Sequence, residues 1–466
     1  MNRPFLFWQI WRAGHSKPPA IARIQQRRLG ALLAFARARS PFYAHHYRQL
    51  APACTALKAL PPVTKPMLMA DFDGWVTDPA VTRAGIESFV ADPALVGDLY
   101  LDRYAVYTTS GTTGTPGLFL HDRHTLAVYD LLWPLRGWLP WLGVRRLLAP
   151  LRPDFHEVFV VATGAHFGGA ATAARLRHRY PWMAGRLPTL SVLQPLPELV
   201  RQLNRLQPDA LTLYPTLLSL LLQEQRSGRL SIHPLLIVTS GEWLAPVVRE
   251  EATTVFNCPV RDVYACSEFF YAAFTCAQGW LHANADWLIL EPVDANYRPV
   301  PPGQPSATVL LTNLANRIQP LIRYDLGDSL TLRPEPCPCG NPLPALRVEG
   351  RQDETLTFAT ATGSTVRVLP IALATVLETT DGVRRYQLIQ TGSAALSVRL
   401  ETVPGVERSQ VWERIEARLR EYLASHGLAG VIIEEAAEPP RRDPVSGKFR
   451  HVWSEVTVPV GTDRRP

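Results

Sequence analysis

A run of hydroxyl side chains and glycines between Tyr107 and Gly117 is the part of this sequence best suited to bind phosphate groups. It reads Tyr-Thr-Thr-Ser-Gly-Thr-Thr-Gly-Thr-Pro-Gly. Glycines let the backbone approach an anion, while hydroxyls and free N–H groups surround phosphate oxygens. The run lacks the lysine of a Walker loop. It therefore favours a different polyphosphate cradle, against the alternative of an ordinary Ser/Thr/Gly-rich surface loop.

A second candidate site consists of cysteines and one histidine. Cys337 and Cys339 form a tight pair, and Cys276 and His282 are six residues apart. Three thiolates and one imidazole suit a structural zinc ion, although this spacing is less diagnostic than two CxxC pairs. Unpaired buried cysteines are the alternative interpretation. The remaining cysteines are interpreted as structural: Cys54, Cys258 and Cys266.

The elements that would position these residues alternate in type. From about residue 100 onward, short apolar runs alternate with helical segments, which predicts an α/β architecture with several sheets. Residues 20–50 predict helix interrupted at Ser40-Pro41, and residues 261–332 predict a β-rich subdomain. After residue 353 the pattern resets to strands and a helix over 410–426, which predicts a small α+β unit.

Composition and charge restrict the class of protein. The chain has 466 residues, of which 47% are hydrophobic and 19% charged, with a formal net charge of +7. This size predicts two domains or one large domain with an appendage. The arginine clusters form no long basic tract, so we expect no nucleic-acid partner. Six cysteines in a chain of this length are typical of a reducing compartment.

The chain shows no pattern of a membrane span or a signal peptide. The apolar stretch over 4–11 lacks a small-residue cleavage site and is interpreted as an ordinary helix. The longest uncharged interior stretch, 158–174, is shorter than a bilayer span. We therefore expect a cytoplasmic protein with no membrane partner. The assemblies that the sequence allows include a homodimer.

Five segments in order resemble signatures of the adenylate-forming superfamily. After the run at 107–117 come Tyr264-Ala-Cys-Ser-Glu268, Arg323-Tyr-Asp-Leu-Gly-Asp328, Gly350-Arg-Gln-Asp353 and Ser446-Gly-Lys-Phe-Arg450. The resemblance covers roughly residues 20–455. The segment LGALLAFARARSPFYAHHY, the Ser-Gly-Glu triplet ending at Glu242, and CPCG are most similar to the phenylacetate–coenzyme A ligase branch. Some members of that branch carry a Cys/His metal site, which favours zinc here.

The resemblance implies a role for each matching residue. It implies that Tyr264 packs by adenine, that Asp328 binds the ribose hydroxyls, and that Glu268 holds Mg²⁺, which prefers hard oxygen ligands. The implied nucleotide-binding residues are Thr109, Ser110, Gly111, Gly114, Ser240, Gly241, Glu242, Tyr264, Ser267, Asp328 and Arg351. The implied catalytic residues are Lys448, Glu268, Thr112 and Thr113.

The resemblance also implies a division into domains and an acyl pocket. It predicts an adenylation domain over 1–349, a hinge over 350–353 with Asp353 as the pivot, and a mobile lid domain over 354–466. The zone between the phosphate run and the magnesium motif lines the acyl pocket in the family. Aromatic walls and glycines there predict an aryl or related acid, with core packing as the alternative. The predicted pocket residues are Phe167, Gly168, Gly169 and Tyr214.

The implied function is ATP-dependent activation of a small carboxylic acid followed by transfer to coenzyme A. The sequence departs from the family at Thr115, where many relatives have lysine, and after Asp353, where the usual Arg-Gly pair is absent. These departures concern the second half-reaction. One alternative therefore keeps adenylation but transfers the acyl group to a carrier-protein thiol or an amine. Another is a nucleotide- or zinc-binding module without turnover.

Overall fold

The computed structural model describes most of the chain in two compact units. The described residues are 3–51, 54–109, 117–142, 149, 152, 154–161, 163, 166–191, 194, 196–351, 356–360, 365–368, 373, 376–377, 380–441 and 450–456. The larger unit contains residues up to 326 together with 330–348, and the smaller unit contains 327–329 and most residues from 349 onward. The predicted hinge residues 352 and 353 lie outside the described residues.

Helices of the larger unit begin and end at recognisable sequence signals. Proline occupies the first turn of several of them, where its missing N–H is not needed. Ser40 separates two helices and accepts a hydrogen bond from the Tyr43 N–H as a cap. The described helices of this unit are α1 (Arg3–Gly14), α2 (Pro18–Arg39), α3 (Pro41–His46), α4 (Lys65–Ala70), α5 (Phe72–Trp75), α6 (Arg83–Ala91), α7 (Arg123–Leu132), α8 (Leu139–Leu142), α9 (Gly168–Arg179), α10 (Leu196–Leu206), α11 (Pro215–Arg226) and α12 (Pro246–Phe256).

Strands β1–β14 include the apolar runs that the sequence singled out. A π-helix, Trp133–Trp138, joins α7 to α8. The strands are β1 (Ala105–Thr108), β2 (Leu118–His121), β3 (Glu157–Val161), β4 (Thr189–Ser191), β5 (Ala210–Leu213), β6 (Leu236–Ser240), β7 (Val260–Cys266), β8 (Phe269–Thr275), β9 (Leu281–Ala283), β10 (Leu288–Val293), β11 (Thr308–Asn313), β12 (Tyr324–Asp325), β13 (Asp328–Leu332) and β14 (Ala345–Arg351).

The main sheet combines parallel and antiparallel strands. Among the described residues, nine strands follow the order β13-β14-β9-β8-β7-β6-β5-β3-β4. Strands β4, β3, β5, β6 and β7 run parallel, and β8 and β9 continue the sheet antiparallel. The region predicted as a β-rich subdomain thus supplies strands to this sheet and to a separate sheet of β10, β11 and β12. The α/β fold class is confirmed.

The amino-terminal helices are fixed to the rest of the larger unit by buried side chains. Trp75 is fully buried, and its indole N–H donates to the Pro320 carbonyl oxygen at 2.8 Å. The Tyr43 hydroxyl donates to the same oxygen at 2.9 Å. Removing a buried aromatic ring of this size costs about 3–5 kcal/mol. The predicted helix over 20–50, with its break at Ser40, is therefore confirmed and forms part of the main core.

The smaller unit has its own core. Strands β15 (Leu356–Ala359) and β16 (Thr365–Val368) form a hairpin. Strands β17 (Val383–Gly392), β18 (Ala395–Thr402), β19 (Ile432–Glu435) and β20 (Val452–Ser454) form a second sheet in the order β19-β18-β17-β20 among the described residues. Helix α13 (Arg408–Ser425) buries Val411, Ile415, Leu419 and Leu423, one apolar residue per turn. The predicted α+β composition and the predicted helix are confirmed.

No helix among the described residues combines the length and the apolar character that crossing a bilayer requires. This agrees with the short apolar stretches of the sequence.

Candidate functional site

Several predicted site residues lie at one edge of the main sheet because they follow parallel strands. Tyr214 follows β5, and Ser240 ends β6. Ser267 and Glu268 follow β7, which contains Tyr264. The carboxyl ends of parallel strands share one edge of a sheet, where open α/β sheets bind ligands. Register places Ser240 opposite Val263, beside Tyr264.

The turn after β6 depends on a glycine. Gly241 has a φ of 81°, a left-handed conformation that side chains other than glycine rarely adopt. The chain therefore turns sharply between Ser240 and Glu242 at the edge of the sheet. The backbone geometry of this turn therefore explains why a glycine stands between Ser240 and Glu242.

The phosphate run is carried by the hairpin of β1 and β2. The Thr109 N–H donates to the Gly117 carbonyl oxygen at 3.1 Å, and the Thr109 hydroxyl oxygen accepts from the Gly117 N–H at 2.8 Å. Thr109 is thereby fixed directly opposite the end of the run. Predicted site residues Ser110, Gly111, Thr112, Thr113 and Gly114 lie outside the described residues.

The same hairpin contacts the turn that contains Glu268. His121 on β2 donates from Nε2 to the Ser267 carbonyl oxygen at 2.9 Å. The ring of Tyr107 on β1 lies 5.3 Å from the ring of Phe270, centroid to centroid. The hairpin that carries the phosphate run and the predicted magnesium ligand thus belong to one set of packed contacts.

Glu268 is a buried carboxylate held by groups from distant parts of the sequence. The Tyr324 hydroxyl donates to its Oε1 at 3.1 Å, and the Asn313 side chain donates to its backbone oxygen at 2.9 Å. Glu268 is only 2% exposed. Tyr324 belongs to the Arg323–Asp328 motif, so a side chain of one signature positions a side chain of another.

Sequence reasoning missed a group of buried amides that fix the hairpin. The Asn316 side chain donates to the Leu120 carbonyl oxygen at 2.7 Å, and the Gln319 Oε1 accepts from the Leu120 N–H at 2.6 Å. Buried polar groups normally satisfy their hydrogen bonds in this way. The spacing of Asn313, Asn316 and Gln319 could have indicated this group, because three amide side chains at intervals of three residues suit a compact polar turn.

Phe167 is joined directly to the phosphate hairpin. The Thr108 N–H donates to the His166 carbonyl oxygen at 2.9 Å, and Thr108 forms a parallel bridge with Phe167. Phe167 is half-buried at the start of α9. One predicted pocket residue is therefore adjacent to the anchored end of the phosphate run.

The other predicted pocket residues are packed against protein side chains. A Cβ at Gly168 would approach the Phe270 ring to 2.6 Å, and one at Gly169 would approach Val161 to 3.1 Å. Tyr214 is buried in the core formed with α10 and α11. The aromatic ring that contacts Gly168 is thus that of Phe270, two residues after Glu268.

The remaining predicted residues belong to the carboxyl-terminal part of the chain. Asp328 is buried at the first position of β13. Arg351 ends β14, and its side chain lies outside the described residues, as do Asp353 and Lys448.

The structure brings together the cysteines and the histidine predicted to bind metal. The ligand atoms of Cys276, His282, Cys337 and Cys339 all lie within 4.8 Å of one another. The sulfur atoms of Cys276 and Cys337 are 3.7 Å apart, and the Cys339 sulfur is 3.3 Å from the His282 Nε2. A tetrahedral zinc site with Zn–S bonds of about 2.3 Å requires sulfur atoms about 3.8 Å apart.

The histidine of this cluster is oriented by a backbone group. His282 donates from Nδ1 to the Leu343 carbonyl oxygen at 2.7 Å, which leaves the Nε2 lone pair directed toward the cluster. Burial, together with hydrogen bonds from the neighbouring thiols, raises the pKa of the Cys339 thiol to about 12. A cation bound between these residues would lower that pKa, because it stabilises the thiolate form.

One further buried acid is linked to β8 through the Trp133 side chain. Glu157, at the start of β3, is buried and accepts a hydrogen bond from the Trp133 indole N–H at 3.0 Å. Burial raises its pKa to about 8. The Trp133 ring stacks on Tyr271 of β8 with centroids 5.1 Å apart. This carboxyl group is consequently neutral over a wide pH range.

Comparison with known proteins identifies one matching family. The profile of the family described as AMP-binding enzyme matches residues 5–307. Among curated proteins, the chain is similar to Protein CapK of Staphylococcus aureus, with 28% identity over 140 residues. That match spans 29% of this chain and 29% of the length of the curated relative.

Solved structures show the same fold at low sequence identity. A 2-hydroxyisobutyryl-CoA ligase in the postadenylation state, in complex with 2-HIB-AMP, has 20% identity and a TM-score of 0.67, covering 92% of this chain and 89% of that one. The anthranilate CoA ligase AuaEII in complex with anthranoyl-AMP has 18% identity and a TM-score of 0.54, covering 74% and 64%. A benzoate CoA ligase from Burkholderia xenovorans LB400 has 18% identity and a TM-score of 0.51, covering 72% and 65%.

Proposed function

Because this chain belongs to the AMP-binding enzyme family, we propose that it joins a carboxylic acid to AMP and then transfers the acyl group to coenzyme A. The observation that carries the proposal is the contact between two motifs. The hairpin that anchors Thr109 packs against the turn that contains the buried Glu268. This contact supports a site in which phosphate-binding groups and a hard carboxylate ligand act on the same nucleotide.

In the first half-reaction, a carboxylate oxygen of the acid attacks the α-phosphorus of ATP. A new C–O–P linkage forms, and the bond to the bridging oxygen of the β-phosphate breaks, so that pyrophosphate leaves with the electron pair. The hairpin residues around Thr109 hold the phosphates in line for this displacement. Lys448 is proposed to stabilise the negative charge that develops on the α-phosphate.

Glu268 fits the role of magnesium ligand. Its carboxylate is buried, and Tyr324 fixes one of its oxygens at 3.1 Å. Mg²⁺ prefers hard oxygen ligands and neutralises the charge of a departing pyrophosphate. A carboxylate that is already oriented loses little freedom when it binds a cation, so the Tyr324 contact supports this assignment.

In the second half-reaction, the thiol sulfur of coenzyme A attacks the carbonyl carbon of the acyl-adenylate. The thioester C–S bond forms, the thiol proton goes to solvent, and AMP leaves with the electron pair of the broken C–O bond. Asp353 is proposed as the pivot that changes the orientation of the smaller unit between the two steps.

We propose an aryl or related acid as the substrate class. Two aromatic residues adjoin the anchored hairpin: Phe167 bridges Thr108, and the Phe270 ring lies 5.3 Å from that of Tyr107. Aromatic walls favour a flat apolar acid over a small polar one. Two of the solved relatives act on aromatic acids by their names, anthranilate and benzoate, which is consistent with this class.

Two alternatives have a specific sequence observation in their favour. The missing Arg-Gly pair after Asp353 favours a carrier-protein thiol or an amine as acceptor, or a nucleotide-binding module without turnover. A binding module would take up ATP without releasing pyrophosphate. An enzyme with another acceptor would release pyrophosphate but form no coenzyme A thioester.

The test is a panel of carboxylic acids in which pyrophosphate release and coenzyme A thioester formation are measured separately. We expect acid-dependent pyrophosphate release that falls more than about 100-fold in Lys448→Ala. The matched control is Lys58→Ala, which removes an exposed lysine elsewhere. Equal activity of the Lys448→Ala variant would remove that residue from the mechanism, and no acid-dependent release from the native chain would contradict the proposed function itself.

We also propose that Cys276, His282, Cys337 and Cys339 bind a structural zinc ion. The sulfur separation of 3.7 Å and the orientation of His282 support a tetrahedral site. All four positions of a tetrahedron are supplied by protein side chains, which leaves no open position for a substrate. The ion would therefore stabilise the fold and take no part in the chemistry.

A further inference from the structure

Helix α1 has apolar side chains on two opposite sides. Leu6, Ile10 and Ala13 are buried against the main core. On the other side, the exposed fractions of the side chains are 55% for Phe5, 45% for Phe7, 45% for Trp8 and 51% for Trp11. A helix that is apolar all round is normally enclosed by protein or lipid. The outward side of α1 therefore exposes large apolar rings to water, which is energetically unfavourable.

A second exposed aromatic group lies next to α1. The Arg3 guanidinium lies 5.7 Å from the centre of the Tyr180 ring, and that ring is 6.3 Å from the ring of Trp182. Trp182 is 66% exposed, more than any other large hydrophobic side chain in the described part of the chain. We define the aromatic face as Phe5, Phe7, Trp8, Trp11, Tyr180 and Trp182.

Arginines accompany these rings. The Arg12 guanidinium lies 4.9 Å from the centre of the Trp8 ring, and that of Arg186 lies 5.4 Å from the centre of the Trp182 ring. Each pair combines a ring that prefers an apolar contact with a cation that prefers an anion. Contiguous apolar surface bordered by charge is typical of an interaction site.

The charge of the chain is concentrated in the same region. The first 70 residues contain 11 lysines and arginines and no aspartate or glutamate. The other 396 residues contain 37 basic and 41 acidic residues, a net charge of −4, although the whole chain has +7. The positive balance of the protein therefore comes entirely from the segment that contains α1 and α2. Arg12, Lys17, Arg23 and Arg27 are exposed there.

We propose that the aromatic face docks on the surface of an anionic lipid bilayer. Tryptophan and phenylalanine rings insert at the level of the lipid headgroups, where an apolar body and a polar edge are both accommodated. The Arg12 guanidinium, which lies over the Trp8 ring, and the exposed Lys17 and Arg23 of the same basic segment are attracted by anionic headgroups. α1 lies in the plane of the membrane, so the proposal requires no spanning segment.

The charge distribution argues against a second copy of this chain as the occupant. A symmetric dimer joins the same surface of both subunits. Contact through α1 would bring together two copies of a segment that contains basic residues and no acidic ones, and like charges oppose such an interface. An anionic bilayer complements both the rings and the cations.

This inference departs from the sequence-based expectation of no membrane partner. The sequence shows an aromatic stretch of ordinary length, and a buried helix would have the same composition. Only the structure shows that one side of α1 packs inward while Trp8 and Trp11 face outward.

The test is sedimentation of the full chain with vesicles of phosphatidylcholine alone or of phosphatidylcholine mixed with phosphatidylglycerol. We expect binding to the anionic vesicles only, weakened by added salt. The triple variant Arg12→Gln, Lys17→Gln, Arg23→Gln is expected to lose roughly 100-fold in partitioning, since each cation contributes about fivefold at an anionic surface. The variant Trp8→Ala, Trp11→Ala is expected to lose at least about tenfold.

Matched controls remove the same kinds of group elsewhere. The triple variant Arg201→Gln, Arg205→Gln, Arg226→Gln removes three positive charges outside the first 70 residues, and Ile432→Ala removes an apolar side chain that is 56% exposed. Both are expected to bind like the native chain. Circular dichroism and acid-dependent pyrophosphate release verify that each variant is folded.

Two outcomes would overturn the proposal. One is equal sedimentation with both kinds of vesicle, or with neither. The other is a native dimer, seen by analytical ultracentrifugation, that Trp8→Ala, Trp11→Ala converts to monomers, because the aromatic face would then be a protein interface.

Discussion

The two ends of strand β8 carry two buried groups of different design. Glu268 precedes the strand, and Cys276 follows it. At the first end, neutral donors hold the glutamate: the Tyr324 hydroxyl contacts its side chain and the Asn313 amide its backbone oxygen. At the second end, three thiols and an imidazole converge, with their ligand atoms within 4.8 Å of one another.

The two centres differ in how far their structure depends on a bound ion. Tyr324 holds one carboxylate oxygen of Glu268 and Asn313 holds its backbone oxygen, so this end is expected to keep its geometry without a cation. At the other end the cysteines and the histidine converge on one point, and a bound cation would stabilise the thiolate forms there, so this end is expected to gain stability when an ion binds. Removing an ion should therefore affect activity at one end and stability at the other.

The largest expected effect comes from Glu268→Gln. The substitution keeps the size of the side chain and an oxygen for the Tyr324 hydroxyl but removes the negative charge. We expect acid-dependent pyrophosphate release to fall more than about 100-fold, with little change in thermal stability. Initial rates over a range of Mg²⁺ concentrations measure this. Native activity in this variant would show that the carboxylate is not the magnesium ligand.

Disruption of the Cys/His cluster is expected to lower stability by several kcal/mol. In Cys337→Ser, Cys339→Ser, we expect the melting temperature to fall by about 5–10 °C, because the energy of metal binding contributes to folding. Metal analysis of the native chain should find one zinc per chain. Cys258→Ser is the control, since this buried cysteine lies outside the cluster. A native chain without zinc would contradict the assignment.

An intermediate effect is expected from Tyr324→Phe. The variant loses the hydroxyl that contacts Glu268, and groups that orient a metal ligand contribute about 10- to 100-fold to activity. We expect a loss of about tenfold in kcat together with a higher Mg²⁺ requirement. Tyr297→Phe is the matched control, because that hydroxyl donates to Asp325 instead. Similar losses in both variants would indicate a general effect on the fold.

The last effect is a pH dependence of stability and concerns Glu157, whose indole partner Trp133 stacks on Tyr271 of β8. Its pKa is raised from 4.5 to about 8 by burial, so the folded state holds a proton that the unfolded state releases between these values. The free energy of unfolding should therefore decrease as pH rises from 4.5 to 8, by up to about 1.4 kcal/mol per pH unit. Urea unfolding at several pH values should show a weaker decrease in Glu157→Gln. An unchanged pH dependence would contradict this assignment.

The sequence predicted local features better than the contacts between them. Helices and strands with clear periodicity, such as α2 and β11, were found as expected, and so was the convergence of the Cys/His residues. The buried contacts of Glu268 were not predicted, because Tyr324 and Asn313 are 56 and 45 residues away from it. The exposure of Trp8 and Trp11 was also missed, since composition does not show which side of a helix faces the core.

The hydrogen bonds between Thr109 and Gly117 have a consequence for exchanging the phosphate run. They join the two ends of the segment independently of the residues between them. The hairpin of β1 and β2 is therefore closed before a ligand binds. The entropy of closing a short loop then adds little to the free energy of ligand binding. Segments of the same length from other family members should be interchangeable here without refolding the hairpin, so this part of the molecule can be redesigned as a cassette.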